Sequence, residues 1–129
     1  MRISEDGKMK EIWRIEKSVP HIPSPIVLGE FTYLWGDNGI VSCVRTQTGE
    51  TLWRERTKGE YYGSPVSDGK HIFNVNTDGV ATAIPCDGSF SIITEHKIGG
   101  TCRSTAALAN NTVFLRIENQ LYAFKNKSD

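Results

Sequence analysis

Residues 24–53 read SPIVLGEFTYLWGDNGIVSCVRTQTGETLW, and residues 64–93 read SPVSDGKHIFNVNTDGVATAIPCDGSFSII. Laid over each other, these two stretches of equal length show one unit written twice, 40 residues apart. Ser24-Pro25 falls on Ser64-Pro65, Gly39 on Gly79, and Cys43 on Ala83. Working outward, Ser104, Asn119, Leu121 and Ala123 extend the same register towards the C-terminus, and Trp13 extends it backwards from Trp53 and Ile93. A period of this size means a supersecondary unit copied in series.

Within one unit, Pro25-Ile26-Val27-Leu28 is a short apolar run closed by Gly29-Glu30. Phe31-Thr32-Tyr33-Leu34-Trp35 follows and closes at Asp37-Asn38-Gly39. Ile40-Val41-Ser42-Cys43-Val44 closes at Thr48-Gly49, and Glu50-Thr51-Leu52-Trp53-Arg54 ends the unit. β-branched and aromatic runs of about five residues between tight-turn residues read as four strands. Asn38-Gly39 and Asp78-Gly79 are strong two-residue hairpin signals, with positive φ expected at both turn positions. No stretch carries a helical apolar period, which excludes an α-solenoid. Four antiparallel strands per unit of about 40 residues make a propeller blade. The expected fold is therefore all-β: β-propeller blades of four antiparallel strands, three blades' worth per chain, or half of a six-bladed propeller.

The expected layout is a single propeller segment over residues 1–129. It has a lone fourth strand at 8–16, blades at 24–56 and 64–97, and a three-stranded blade at 104–125 that awaits a fourth strand. Three blades are too few to close, since propellers carry about four to eight. Two arrangements remain open. Two chains can each lend a fourth strand to the other's last blade, forming a homodimeric six-bladed ring. Alternatively, the chain is the C-terminal half of a longer propeller. The dimer leaves no unpaired strand edge, the usual template for aggregation.

The composition narrows the partners. Fifteen basic residues balance 15 acidic ones, and no basic stripe points to nucleic acid. No apolar run reaches the roughly 18 residues of a membrane span. Residues 1–10 are polar and do not read as a secretory signal. The chain is expected to be cytosolic or to follow an export signal further upstream. Cys43, Cys86 and Cys102 are odd in number and scattered, which suits neither a disulfide scaffold nor zinc. Cys43 takes the slot of Ala83 and Ala123, so it reads as a small buried hydrophobe.

Ser64-Pro65-Val66-Ser67-Asp68-Gly69-Lys70-His71-Ile72-Phe73 and Thr46-Gln47-Thr48-Gly49-Glu50-Thr51-Leu52-Trp53-Arg54 resemble the repeat of quinoprotein-type propellers. That PQQ-like repeat reads roughly SPxVxDGxxYxxxxDGxxxAxDxxTGxxxW. The resemblance covers nearly the whole chain. It implies that the strand-four tryptophan docks between blades beside a Thr-Gly turn, a role for Trp13 and Trp53 with Thr48 and Gly49. In the third copy Ile93 replaces the tryptophan, and a weaker contact is expected there. The family includes pyrroloquinoline-quinone dehydrogenases and a cofactor-free branch similar to the scaffold of outer-membrane barrel assembly. Vicinal cysteines and an evident calcium-binding acid are missing from this sequence. The expectation is a non-catalytic scaffold with no cofactor and no metal. The rival is the C-terminal part of a quinone-dependent dehydrogenase whose ligands lie elsewhere. The family resemblance leans towards the bacterial periplasm or cell envelope.

Function is expected where the repeats differ. The connections leading into each first strand are His21-Ile22-Pro23, Tyr61-Tyr62-Gly63 and Thr101-Cys102-Arg103. Scaffold positions repeat because packing repeats, whereas loops are free to specialise. His21, Tyr61, Tyr62 and Arg103 form the candidate binding face for a protein or peptide, since Tyr and Arg make binding hot spots.

Overall fold

A computed structural model describes residues 5–125 and residue 127. The rest of the expected segment at either terminus lies outside the described residues. Eleven strands form three antiparallel sheets, and no helix occurs among the described residues. Blade one runs β1 (Ile26–Leu28), β2 (Phe31–Trp35), β3 (Ile40–Arg45) and β4 (Thr51–Arg56), paired in chain order. Blade two repeats this with β5 (Val66–Ser67), β6 (His71–Val75), β7 (Val80–Pro85) and β8 (Thr94–Lys97). The third sheet holds β9 (Ala107–Ala109), β10 (Thr112–Ile117) and β11 (Gln120–Lys125), with β11 at its outer edge. This is the partial β-propeller expected from the repeat.

The hairpin turns differ from the sequence expectation. Asn38 and Asp78 keep negative φ; only Gly39 (φ 85) and Gly79 (φ 74) are left-handed. Gly39 N–H donates to Gly36 O, and Gly36 N–H donates to Ile40 O. Asn76 and Gly79 repeat both bonds. The loop is thus a three-residue turn ending in a left-handed glycine, rather than a two-residue turn with both centres inverted. A second constraint falls on the same glycine. A Cβ at Gly39 would meet Thr57 O and Gly59 O at 2.7 Å, and one at Gly79 would meet Gly99 O at 2.6 Å. The chain leaving each fourth strand passes directly over the hairpin of its own blade. The doubly inverted turn occurs instead at Asn110 (φ 51) and Asn111 (φ 56), between β9 and β10.

Alternation along the strands sends one row of side chains towards each neighbouring blade. Tyr33, Trp35, Val41 and Cys43 of blade one bury against Tyr61, Ile72 and Ile84, forming the first core. Val75, Cys102, Ala106, Leu115 and Ile117 form a second core between blades two and three. Residues 8–16, expected as a lone fourth strand, carry no ladder pairing. Trp13 and Ile15 are nonetheless half-buried while their neighbours are exposed.

Candidate functional site

Two tryptophans, Trp53 on β4 and Trp13 on the unpaired segment before β1, set how the blades meet. Trp53 Nε1 donates to Gly88 O of blade two at 2.8 Å. Trp13 Nε1 donates to Thr46 O of blade one at the same distance of 2.8 Å. Gly49 leaves room for the Trp13 ring, which a Cβ there would approach to 2.8 Å. The Thr46–Gly49 turn therefore serves Trp13, and Trp53 reaches one blade onward. Tyr33 supports this first contact, its hydroxyl accepting from Gly88 N–H at 3.0 Å. Burial pushes the Tyr33 phenol up to about 12, although the Gly88 amide works the other way.

The upper face is built from the hairpin loops and the connections leading into the first strands. Backbone bonds tie the two together. Tyr61 N–H donates to Asp37 O at 2.8 Å, Thr77 N–H to Glu60 O at 2.8 Å, and Glu118 N–H to Thr101 O at 2.8 Å. Asp37 also holds the first connection, its Oδ1 accepting from His21 N–H at 2.7 Å. Burial works against the charged form of Asp37. The amides of His21 and Ile22 and the His21 ring outweigh it, so the carboxyl is held below the ordinary carboxylate value. Asn74 and Asn76 extend the frame, donating from Nδ2 to Gly63 O at 2.9 Å and Lys58 O at 3.0 Å.

The four candidate residues separate on this frame. His21 projects outward with its side chain 86% exposed and its Nδ1 at 3.7 Å from Asp37 Oδ2. Tyr62 is 40% exposed, and the Arg103 guanidinium stands 5.4 Å over its ring. Such a cation–π pair between neighbouring connections holds an amphipathic surface in place. Tyr61 departs from the expectation. It is 1% exposed and packs on Trp35 with ring centroids 5.3 Å apart, so it belongs to the core and meets the face only as part of the wall of a recess. Its hydroxyl lies beside Thr57, Thr82 and Trp35, with no hydrogen bond of ordinary geometry to any of them.

Two recesses open on this face. One of about 240 Å³ is lined by Ile22, Asp37, Asn38, Glu60, Tyr61 and Tyr62. Another of about 380 Å³ is lined by Thr101, Arg103, Ser104, Arg116 and Glu118. Sequence reasoning missed Ile22, Glu60 and Arg116. The repeat register carried a signal for Arg116, which stands where Gly36 and Asn76 stand in the other blades. Among the described residues, no group of three or more His, Cys, Asp or Glu is placed to hold a metal. No helix there is long and apolar enough to cross a membrane.

The two four-stranded sheets and the three-stranded one, the spacing of their glycines and the indoles docked between them define a β-propeller of PQQ-like repeats. Residues 4–89, two thirds of the chain, match the family described as outer membrane protein assembly factor BamB, and the chain belongs to that family. It is similar in fold to the crystal structure of BamB from Moraxella catarrhalis, with a TM-score of 0.61 and 21% sequence identity. That likeness covers 77% of this chain and 29% of the other, so the chain spans less than a third of that protein. No curated protein matches it.

Proposed function

We propose that this chain is a non-catalytic propeller scaffold that binds a protein or an extended peptide across its upper face. It would act in the cell envelope, in the outer-membrane protein assembly that its family's description names. One observation carries the reading. The connections that differ between repeats are clamped by backbone hydrogen bonds to hairpins that are alike in blades one and two. A frame of this kind presents Ile22, Tyr62 and Arg103 as a preordered set, which lowers the ordering cost of binding. The aromatic and guanidinium groups supply the anchors.

Two copies of the chain would join as a six-bladed ring, bringing a second upper face beside the first. Exchanging Tyr62 and Arg103 together for alanine tests the face. Both side chains lie outside the two cores, so the melting temperature should stay close to that of the parent. Capture of an outer-membrane assembly protein, measured by pull-down of the purified pair, should be lost. Undiminished capture by the double variant would place the binding surface elsewhere.

A further inference from the structure

Two arginines of the third repeat stand where the other repeats carry uncharged residues. Arg103 takes the position of Pro23 and Gly63, and Arg116 that of Gly36 and Asn76. The scaffold itself does not call for a cation at either place. Gly36 is buried in its hairpin. Asn76 is spent on Lys58 O and on the amides of Asp78 and Val80. Both arginines are exposed instead, and they line one recess of about 380 Å³ with Thr101, Ser104 and Glu118.

Each guanidinium is anchored in part and keeps free donors. That of Arg103 lies 5.4 Å over the Tyr62 ring. Arg116 donates from Nε to Glu118 O at 3.0 Å, and Ser104 Oγ holds its main chain by donating to Arg116 O at 2.9 Å. Neither arginine forms an ion pair with a carboxylate among the described residues. The acid of this recess, Glu118, lies beside Gly100, where a Cβ would find its Oε1 at 3.5 Å.

We infer that this recess takes the carboxylate of an acidic side chain in the bound peptide, gripped between Arg103 and Arg116. This deepens the peptide-binding reading above and rests on it. A guanidinium presents its N–H groups in a plane that matches the two oxygens of a carboxylate. Anchoring both beforehand reduces the rotamer freedom lost on binding. The other recess is opposite in sign, since Asp37 and Glu60 line it. Like charges repel there, so an acidic residue has one seat on the face. Tyr62 lines the first recess and Arg103 the second, and their contact joins the two. The position of its acidic residue thereby sets how a peptide lies along the face.

Two blocked peptides test this, acetyl-Gly-Glu-Glu-Gly-amide and acetyl-Gly-Lys-Lys-Gly-amide, with inorganic phosphate as a third probe. Each is titrated into the full chain at fixed ionic strength while NMR follows the amide signals of residues 101–104 and 116–118. The glutamate peptide is expected to shift these signals saturably, and the lysine peptide to leave them in place. Arg116→Gln, which keeps an amide donor, should weaken the glutamate peptide about fivefold. Arg116→Lys keeps the charge without the planar fork and should bind between the two. An equal response to both peptides, or undiminished binding by Arg116→Gln, overturns the site. Phosphate binding without a glutamate response overturns the peptide contact and leaves a site for inorganic anions. Partner capture separates the ways of failing. Capture lost in the Tyr62 and Arg103 double variant, with no glutamate response, overturns the acidic contact alone and leaves the binding face. Capture undiminished in that variant removes the face and the acidic contact with it.

Discussion

The two junctions between blades share a backbone plan and differ in what fills it. At the first, Trp53 lies between Tyr33 and Phe90, with centroids 6.2 and 5.0 Å away, and reaches Gly88 O through its indole N–H. Trp35 and Tyr61 meet in a tilted contact in the same core, with ring centroids 5.3 Å apart. The second junction holds Val75, Cys102, Ala106, Leu115 and Ile117, with no aromatic residue among its buried side chains. Its counterpart to Trp53 is Ile93, which is 47% exposed. The pairing has also slipped: Ala83 faces Thr94 in blade two, whereas Cys43 faces Trp53, ten residues on in both numbering and repeat. The difference teaches that blade stacking needs the small aliphatic core, while the indole fixes the outer strand to the next blade.

The largest expected effect follows from removing that indole. Trp53→Ala should cost about 3–5 kcal/mol in urea unfolding, because it leaves a cavity between Tyr33 and Phe90. A loss below about 1 kcal/mol would make the two junctions equivalent. Next come the elements both junctions share. Gly39→Ala and Gly79→Ala should each cost about 2 kcal/mol or more, since both combine a left-handed φ with a backbone clash. Unequal costs would show that the two outgoing chains do not press on their hairpins alike.

Alkaline titration isolates the first junction. The Tyr33 phenol is raised from 10.0 to about 12 in the folded protein. Its contribution is fully present below about pH 10 and is lost as pH rises through about 12, because only the unfolded chain ionises readily in between. Tyr33→Phe should remove that part of the pH slope. A smaller effect of opposite sign is expected at Tyr61, whose buried hydroxyl has no well-formed hydrogen bond. Tyr61→Phe should hold or raise stability by up to about 1 kcal/mol, since it removes an unpaired polar group. The smallest change belongs to Ile93→Trp. The slipped register leaves position 93 outside the core, so an indole there should shift stability by less than about 0.5 kcal/mol.

Much of this architecture was legible in residue spacing. The 40-residue period marks where the three sheets lie, and Ile93, standing in the place of the tryptophan, is exposed. Spacing did not reveal turn conformation. Asn38-Gly39 looks like a doubly inverted turn, but a hydrogen bond between Gly36 and Ile40 lengthens the loop by one residue. It also could not divide Tyr61 from Tyr62. Two identical neighbours on a connection point to opposite sides of the chain, and only the facing Trp35 decides which one goes inward. Asp37 was read as a turn residue alone, yet it also holds the His21 connection from the neighbouring loop. A contact of that kind leaves no trace in local pattern.

The start of each first strand carries one more instruction. Ser24 N–H donates to Ser64 Oγ at 2.8 Å, and Ser64 N–H donates to Thr105 Oγ1 at 2.9 Å. Gly63 lies so close to the third blade that a Cβ would come within 2.2 Å of Ser104 O. These bonds sit at the hub, whereas the tryptophans and fourth strands sit at the rim. Curvature and closure are thereby separate mechanical functions. The hub sets the angle through which each blade turns from the last, and the rim fixes the outer strand of blade one to blade two through its indole.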